Sequence, residues 1–254
     1  MRPVRRTQGE IATEWDAIVD LRAEQIRSGR DLSFSLVLVP TILNLIARYQ
    51  PRSVVDVGCG AGFLTREIAK VARRVIGVDV STRSIELARR LSQGLNNVEF
   101  AATSIESYAS NQSKSGFTLA VANMTLMTVV SLDEVLRAVA RILVADGCLA
   151  FTIAHPCFWP QYWNYATEPW FEYMNEIQIE AEFRISLETA HGLRTTHIHR
   201  PVERYVSSLI SAGFVIDAIV EPMPPKEIRT QYPNEWKYPR FLGMRCLKAR
   251  RNHR

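Results

Sequence analysis

Three closely spaced glycines and a downstream aspartate are the residues of this sequence whose spacing points most directly to chemistry. Gly58, Gly60 and Gly62 follow a short β-branched run, 53–57, and helical spacing resumes at once after them. Glycines let a backbone approach a ligand closely, and the first turn of a helix offers free N–H groups. Asp79 ends the next apolar run, where a carboxylate can accept hydrogen bonds from both hydroxyls of a ribose. The pattern predicts a crevice that binds a nucleoside.

The residues around the glycines indicate which nucleoside compound would bind. The spacing is Gly-x-Gly-x-Gly rather than GxGxxG, and no Lys-Ser or Lys-Thr pair follows that would hold phosphates. Asp56 precedes the loop, and a carboxylate there disfavours a diphosphate. Acids on both sides of the loop suit a cofactor that carries an amine and a ribose but no phosphate. S-adenosylmethionine is such a cofactor; the alternative without function is an ordinary tight turn between strand and helix.

Elements of two kinds must position the glycines and Asp79. Runs with a 3.6-residue period predict helices, and short, near-continuously apolar runs predict strands. Apolar strands that alternate with helices indicate the α/β class, with a parallel sheet covered on both faces. The expected helices are 12–28, 39–49 (ended by Pro51), 63–72, 84–93 and 132–144, and the expected strands are 53–57, 75–79, 98–102, 117–122 and 148–154.

The pattern of the chain changes after Ala154. Residues 158–173 contain eight of the 23 aromatic side chains. Alternation of apolar and polar residues over 177–187 predicts a half-buried strand, which we expect to turn at His191-Gly192 and return over 193–199. This segment is therefore expected to form a lid. A final helix over 202–212, ended by Gly213, and strands over 214–220 and 241–247 are expected to complete the chain.

Several segments resemble class I S-adenosylmethionine-dependent methyltransferases. Residues 54–62 resemble the first motif of that family, and residues 78–81 are similar to its second motif. The resemblance implies a single domain, 1–254, with a Rossmann-like, seven-stranded, mostly parallel sheet and helices on both faces. Its parts would be an N-terminal helical cap (1–50), a cofactor-binding core (51–155), an aromatic and acidic lid (156–200) and the C-terminal part of the core (201–254). Other segments resemble a small-molecule branch of the family. They are residues 123–127, 145–147 and 153–158, Trp15-Asp16 and His199-Arg200-Pro201.

The same resemblance implies which residues contact the cofactor. Asp56, Gly58 and Gly60 would bind its methionine end, Asp79 its ribose, and Val80 one face of its adenine. Ser104 stands where the family often has an acid that bonds the adenine amino group, and Ile105 beside it is a further expected contact. Asn123 would lie near the methionine moiety and the place of transfer. We expect no metal, because no carboxylate lies close to the paired histidines of 193–199.

Candidates for contacting the methyl acceptor lie at a strand end and in the expected lid. His155 ends the strand 148–154, where it could be a base or make a structural hydrogen bond. His197 and His199 share one face of a strand and could face the pocket or solvent; His155 and His199 are our catalytic candidates. The aromatic cluster could stack on a flat or cationic acceptor, or simply cover the sheet edge. The candidate acceptor contacts are Trp15, Met127, Trp159, Tyr162 and Trp163.

We expect in-line methyl transfer in a lidded pocket to O, N or C of an aromatic or otherwise apolar small molecule. The protein would mainly exclude water and align the reactants, and a base is needed only if the acceptor carries a proton. Six glutamates among residues 168–190 hint at an amine acceptor, although the solvated face of a strand explains them more simply. The alternatives are an RNA or protein methyltransferase that uses basic termini, and a non-enzymatic module that binds the cofactor.

The charge distribution bears on the nucleic-acid alternative. The chain has 31 basic and 26 acidic residues, a net charge of +5 and a pI near 9.2. Residues 1–6 and 245–254 hold eight of the basic residues and no acid, which leaves 23 basic against 26 acidic residues elsewhere. We expect solvated termini, and no nucleic-acid or membrane partner. Four scattered cysteines and no signal-peptide pattern favour a cytoplasmic protein, while the oligomeric state stays open.

Overall fold

The computed structural model describes residues 1–49, 52–112 and 116–249. The expected helix end at Pro51 and the basic residues Arg250, Arg251 and Arg254 lie outside these ranges. A π-helix over Phe34–Leu38 and a 3₁₀ helix over Lys226–Gln231 accompany the regular elements. In chain order these are β1 (Arg2–Val4), α1 (Gln8–Arg27), α2 (Val39–Ile46), β2 (Ser53–Val57), α3 (Phe63–Ala69), β3 (Arg74–Asp79), α4 (Thr82–Leu91), β4 (Val98–Ala102), α5 (Ile105–Ser110), β5 (Phe117–Asn123), α6 (Leu132–Ile142), β6 (Leu143–Ala154), α7 (Trp159–Tyr162), β7 (Ile177–Arg184), β8 (Thr189–His199), α8 (Val202–Ser211), β9 (Phe214–Val220) and β10 (Phe241–Lys248).

Seven strands form the large sheet, in the order β4-β3-β2-β5-β6-β10-β9. Neighbouring strands from β4 to β6 run parallel, and β10 is antiparallel to both β6 and β9. The order reverses at β2, which has β3 on one side and β5 on the other. Open α/β sheets bind ligands at such a switch point, outside the carboxyl ends of the strands. The predicted Rossmann-like, seven-stranded, mostly parallel sheet is confirmed.

Apolar side chains cover both faces of the large sheet. On one face, Val55 and its neighbours pack against buried side chains of α5, α6 and α8. On the other face, Val54 and its neighbours pack against α2 and α3. Successive residues of a strand point to opposite faces, so a sheet covered on both sides needs an apolar residue at nearly every position. This requirement accounts for the apolar runs in the sequence.

A small antiparallel sheet, in the order β1-β7-β8, holds the hairpin of the expected lid. The prediction that this hairpin turns at His191-Gly192 is wrong, because the turn lies at 185–188, where the Ile185 N–H donates to the Glu188 carbonyl at 2.8 Å. His191 and Gly192 lie inside β8, at a shift of register in its pairing with β7. Gly192 has φ +83°, a backbone conformation that suits glycine at a β-bulge as well as at a turn.

Some of the basic residues near the termini form ion pairs or hydrogen bonds within the protein, whereas Arg5 is exposed. Arg2 and Arg6 form ion pairs with Glu180, which is only 3% exposed and therefore does not belong to a solvated strand face. Arg245 is buried against Asp217, and Lys248 donates to the Leu143 carbonyl at 2.6 Å. Burial raises the pKa of Glu180, but hydrogen bonds from arginines outweigh that effect and hold the pKa below its ordinary value. Arg6, Arg245 and Lys248 are thus engaged within the protein, while the side chains of Arg2 and Arg5 are largely exposed.

The first long helix, α1, connects the two sheets. It begins at Gln8, earlier than expected, because Thr7 and Glu10 form a capping box. The Glu14 carboxylate accepts hydrogen bonds from the Thr196 N–H and hydroxyl in β8, at 2.7 and 2.9 Å. Asp16, half a turn further on, accepts a hydrogen bond from the Ser81 hydroxyl at the start of α4. Helix α1 is therefore fixed to the large sheet's carboxyl edge and to the small sheet at once.

A buried arginine fixes the small sheet to the loop after β5. Arg200 follows β8, and its guanidinium donates to the carbonyls of Leu126, Val129 and Val130 at 3.1, 2.7 and 3.1 Å. The same group pairs with Glu176 at 2.9 Å, and its side chain is fully buried. One side chain thus satisfies the backbone carbonyls of a loop that would otherwise lack partners.

Replacing Arg200 by methionine is expected to lower the free energy of unfolding by at least about 2 kcal/mol, because several buried carbonyls lose their donor. Replacing Arg74 by methionine is the matched control, since its ion pair with Glu99 is 52% and 65% exposed and such pairs contribute about 0–1 kcal/mol. Urea unfolding followed by circular dichroism measures both. Equal losses in the two variants would contradict the role given to Arg200.

Candidate active site

A cavity of about 220 Å³, the first cavity, opens at the carboxyl ends of β2, β3 and β5. The loop from β2 to α3 lines one side of it, and α1 lines another. Every residue that the sequence predicts to contact the cofactor lines this cavity: Asp56, Gly58, Gly60, Asp79, Val80, Ser104, Ile105 and Asn123.

The glycines of the first cavity allow its loop to turn and to pack closely. Gly58, Gly60 and Gly62 have φ angles of +66°, +53° and +76°, which side-chain-bearing residues rarely adopt. A Cβ atom on Gly58 would also lie 2.3 Å from Cγ2 of Thr125, in the loop after β5. Beside Gly60, in contrast, no atom lies within 4 Å of a Cβ position. Gly58 thus brings two loops together, while the space at Gly60 is open to a ligand.

Asp79 connects the ends of β2 and β3. Its Oδ2 accepts a hydrogen bond from the Gly60 N–H and its Oδ1 accepts one from the Ser81 N–H, both at 2.8 Å. Burial raises the pKa of the Asp79 carboxyl, and these hydrogen bonds oppose that rise. A carboxylate oxygen can accept more than one hydrogen bond, so both oxygens keep capacity for ligand hydroxyls.

Asp56 is a buried carboxyl at the end of β2. Its Oδ2 accepts a hydrogen bond from the Thr65 hydroxyl of α3 at 2.6 Å. Burial raises the pKa of Asp56 to about 7, and the negative charge of nearby Asp79 adds to the rise. A cationic group in the first cavity would favour the ionised form of Asp56, because an opposite charge offsets the cost of burial.

Two further expected cofactor contacts are held in place by local hydrogen bonds. The Ser104 hydroxyl accepts a hydrogen bond from the Ser107 N–H at 3.1 Å and caps α5, so part of its capacity is already used. Asn123 ends β5, and its Oδ1 accepts a hydrogen bond from the Thr152 hydroxyl of β6 at 2.6 Å. Asn123 is therefore oriented at the cavity wall by the neighbouring strand.

A second cavity, of about 150 Å³, lies beside the first and is lined largely by residues of the segment 159–197, together with Trp15 and Arg22 of α1. The two cavities share Trp15, Arg22, Leu38, Met124 and Thr128. Molecules bound in the two cavities would therefore meet at these five shared residues. All of the predicted acceptor contacts line the second cavity: Trp15, Met127, Trp159, Tyr162 and Trp163.

The structure does not bring the two catalytic candidates to either cavity. The His155 Nε2 lies 2.8 Å from Oε1 of Glu221, and its Nδ1 accepts the Cys157 N–H at 3.2 Å, so both ring nitrogens are engaged in holding the chain after β6. The His199 Nε2 donates to the Tyr173 carbonyl at 2.9 Å. These contacts favour structural roles for His155 and His199, and a catalytic role for either stays a prediction.

His197, which the sequence paired with His199, lines the second cavity. Its Nε2 lies 3.3 Å from the Tyr165 hydroxyl, and its ring contacts Trp163 edge-on. Burial lowers the pKa of His197 to about 3, with a smaller effect of neighbouring His199. The ring is therefore neutral near pH 7 and is a weak base there.

Sequence reasoning missed the arginines of the second cavity. Arg22 lies in α1, Arg184 ends β7, and Arg240 immediately precedes β10. They lie far apart along the chain, and no local pattern distinguishes them from surface arginines. Within residues 1–49, 52–112 and 116–249, no cluster of His, Cys, Asp and Glu has the geometry to bind a metal. Nor does any helix in those ranges have the length and apolarity to cross a membrane.

Comparison with known proteins agrees with this geometry. Residues 51–189, more than half of the chain, match the family model described as a methyltransferase domain. The chain belongs to this family. This match confirms three predictions: the class I methyltransferase family, its fold, and S-adenosylmethionine as its cofactor.

Individual relatives of this methyltransferase are distant. A malonyl-[acyl-carrier protein] O-methyltransferase of Legionella pneumophila is 32% identical over 108 residues, which make up 42% of this chain and 37% of that protein. The chain thus spans well under half the length of that relative.

Solved structures of low sequence identity share the fold. An S-adenosylmethionine-dependent methyltransferase from Mesorhizobium loti has a TM-score of 0.59 at 21% identity, over 80% of this chain and 95% of the other. The 1,6-didemethyltoxoflavin-N1-methyltransferase of Burkholderia thailandensis, solved with 1,6-didemethyltoxoflavin and S-adenosylhomocysteine, has a TM-score of 0.63 at 16% identity, over 98% and 94%.

The affinity for S-adenosylhomocysteine is expected to rise with pH between about pH 6 and about pH 8. Asp56, whose pKa is about 7, is protonated at the lower pH and ionised at the higher one. The ionised form attracts the ligand's ammonium group, which stays cationic throughout. Titration calorimetry should show a dissociation constant that falls by up to about tenfold, and a flat profile for Asp56→Asn. A flat profile for the unaltered protein would contradict this assignment.

Proposed function

We propose that this methyltransferase transfers a methyl group from S-adenosylmethionine to a small molecule in the second cavity. The observation that carries the proposal is the shared border of the two cavities, formed by Trp15, Met124 and Thr128 among others. A donor in the first cavity and an acceptor in the second would meet at that border. Methyl transfer requires such a meeting, because the acceptor attacks in line with the bond that breaks.

The side chains that line the first cavity match the chemical groups of the cofactor. The fixed carboxylate of Asp79 suits a ribose with two hydroxyls, and Val80 and Ile105 supply apolar surface for the adenine. Asp56 and the loop at Gly58 and Gly60 suit the cationic methionine end. When bound, S-adenosylmethionine supplies a methyl group on a positively charged sulfur. The protein's own residues then have to orient it and exclude water.

The second cavity orients the acceptor through its aromatic walls. Trp159 and Trp163 stack with ring centroids 5.4 Å apart, and Trp159 also contacts Phe241 at 5.7 Å. Such rings restrict a flat acceptor to few orientations, and correct alignment contributes up to about 7–11 kcal/mol in well-oriented reactions. His197, in the wall of the second cavity, is a weak base and would remove a proton from an acceptor poorly. The second cavity therefore favours an acceptor that has already lost its proton or loses it easily.

The ion pairs of the basic residues weigh against the RNA or protein methyltransferase. Arg2, Arg6 and Arg245 are paired with Glu180 or Asp217 within the protein. A phosphate contact by these groups would have to break those pairs. The second cavity, in turn, favours a protein that holds a second ligand beside the cofactor over a module that binds the cofactor alone.

Replacing Asp79 by asparagine is expected to weaken binding of S-adenosylhomocysteine at least about tenfold, because a charged hydrogen-bond acceptor contributes about 1.5–3 kcal/mol. Glu86→Gln, on the exposed side of α4, is the matched control and should change affinity less than about twofold. Titration calorimetry measures both. Equal affinities of the two variants would overturn the assignment of the first cavity.

The transfer itself is tested by incubating the protein with S-adenosylmethionine and a panel of small metabolites. Mass spectrometry should find a product heavier by one methylene unit, together with S-adenosylhomocysteine, and Asp79→Asn should slow both. A protein that binds the cofactor but methylates no member of a broad panel would contradict methyl transfer and favour the binding module.

A further inference from the structure

Two arginines of the second cavity have no carboxylate partner among the residues that the structure describes. Arg240 is only 3% exposed, and Arg184 is partly buried. Other buried arginines of this chain are neutralised: Arg200 pairs with Glu176 and Arg245 with Asp217. A buried charge without a counter-charge is costly, so its presence in a cavity wall points to a charge supplied from outside.

The two guanidinium groups converge on one ring. The Arg240 Cζ lies 3.9 Å from the centroid of Tyr162 and 4.3 Å from that of Trp236. The Arg184 Cζ lies 5.2 Å from the centroid of Tyr162 and 4.3 Å from that of Trp163. Arg240 also donates to the carbonyls of Asn234 and Glu235 at 2.8 and 3.1 Å, and Arg184 to the Tyr162 carbonyl at 3.4 Å. Aromatic stacking and hydrogen bonds to carbonyls hold both cations but bring no negative charge to them. Burial lowers the pKa of both groups, and the charge of Arg184 adds to the effect on Arg240.

The walls of this cavity also hold unused hydrogen-bond donors. The Nε of Arg184 and the indole nitrogens of Trp159 and Trp163 are buried without a hydrogen-bond partner. All of these groups donate and cannot accept. The carboxylate of Asp31, which also lines the cavity, is already paired with Arg22. The cavity is therefore rich in donors and positive charge, and a ligand rich in acceptor atoms would match it.

The lid's glutamates do not reverse this charge. Glu180 is consumed by its ion pairs with Arg2, Arg6 and Arg194, and Glu176 by its pair with Arg200. None of the six glutamates of residues 168–190 lines the second cavity. The hint of an amine acceptor, which rested on the acidic composition of the lid, therefore has no support in the position of these side chains.

We propose that the acceptor is a flat aromatic acid whose anionic group binds between Arg184 and Arg240. The inference rests on the proposed function and adds the chemical class of the substrate to it. An ionised carboxylate would satisfy both guanidinium groups and the indole donors, while the ring of the acid stacks on the tryptophans. An acid that enters already ionised also needs no strong base, in accord with the neutral His197.

Binding is tested with benzoate, benzamide and benzylamine, three probes of one shape and different charge, in the presence of saturating S-adenosylhomocysteine. Titration calorimetry should show benzoate binding at least about tenfold more tightly than benzamide, with benzylamine weakest. Arg184→Gln should remove most of this preference, and Arg184→Glu should reverse it in favour of benzylamine. Arg194→Gln, an exposed arginine of the same small sheet that pairs with Glu180, is the matched control and should keep it.

The outcomes separate this proposal from the proposed function. An unaltered protein that binds benzamide or benzylamine as tightly as benzoate, or binds none of the three, overturns the anionic acceptor. A preference for benzoate that Arg184→Gln leaves unchanged overturns the role of Arg184. If the preference is found but no acid is methylated, the binding proposal stands and methyl transfer fails. Binding of S-adenosylhomocysteine, measured in the same samples, shows that each variant is folded.

Discussion

The buried guanidinium of Arg200 is the interaction on which the arrangement of both cavities depends. It satisfies three backbone carbonyls of residues 126–130 and pairs with Glu176 of the lid. That loop supplies Met127 to the second cavity, Val129 to the first and Thr128 to both. The Ile198 N–H reinforces the link by donating to the Met127 carbonyl at 2.7 Å. The small sheet is thereby held over the carboxyl edge of the large one, where a parallel sheet presents its ligand site.

Charge is divided between the two cavities in a way that suits methyl transfer to an anion. The first cavity carries the carboxyls of Asp56 and Asp79, which match a cationic methyl donor. The second carries Arg184 and Arg240, which match an anionic acceptor. Since each site repels the ligand of the other, the same electrostatics that bind the two ligands also select their orientation. An anionic oxygen that attacks the methyl carbon would break the bond from that carbon to sulfur and leave its electron pair on the sulfur, so the charges of the anion and of the sulfonium would both disappear.

The sequence predicts residues that line the first cavity because its signals there are local. The glycines at 58–62 and Asp79 act through backbone conformation and strand ends, which neighbouring residues determine. The lid is different: Gly192 serves a bulge in β8 where its sequence suggested a turn, and Glu180 is buried by arginines from the N-terminus. Arg184 and Arg240 come together only through tertiary packing, so no spacing in the sequence predicts that they share a cavity. His155 follows a strand as expected, yet its Nε2 is hydrogen-bonded to Glu221. The pattern of strands in the sequence does not predict that contact.

A crystal structure with bound S-adenosylhomocysteine would show whether the donor site and the acceptor site meet. We expect the ligand's sulfur to lie at the border formed by Trp15, Met124 and Thr128 and to face the second cavity, with the ribose hydroxyls on Asp79. A sulfur that faces away from the second cavity, or a ligand that binds without contacting Asp79, would contradict it.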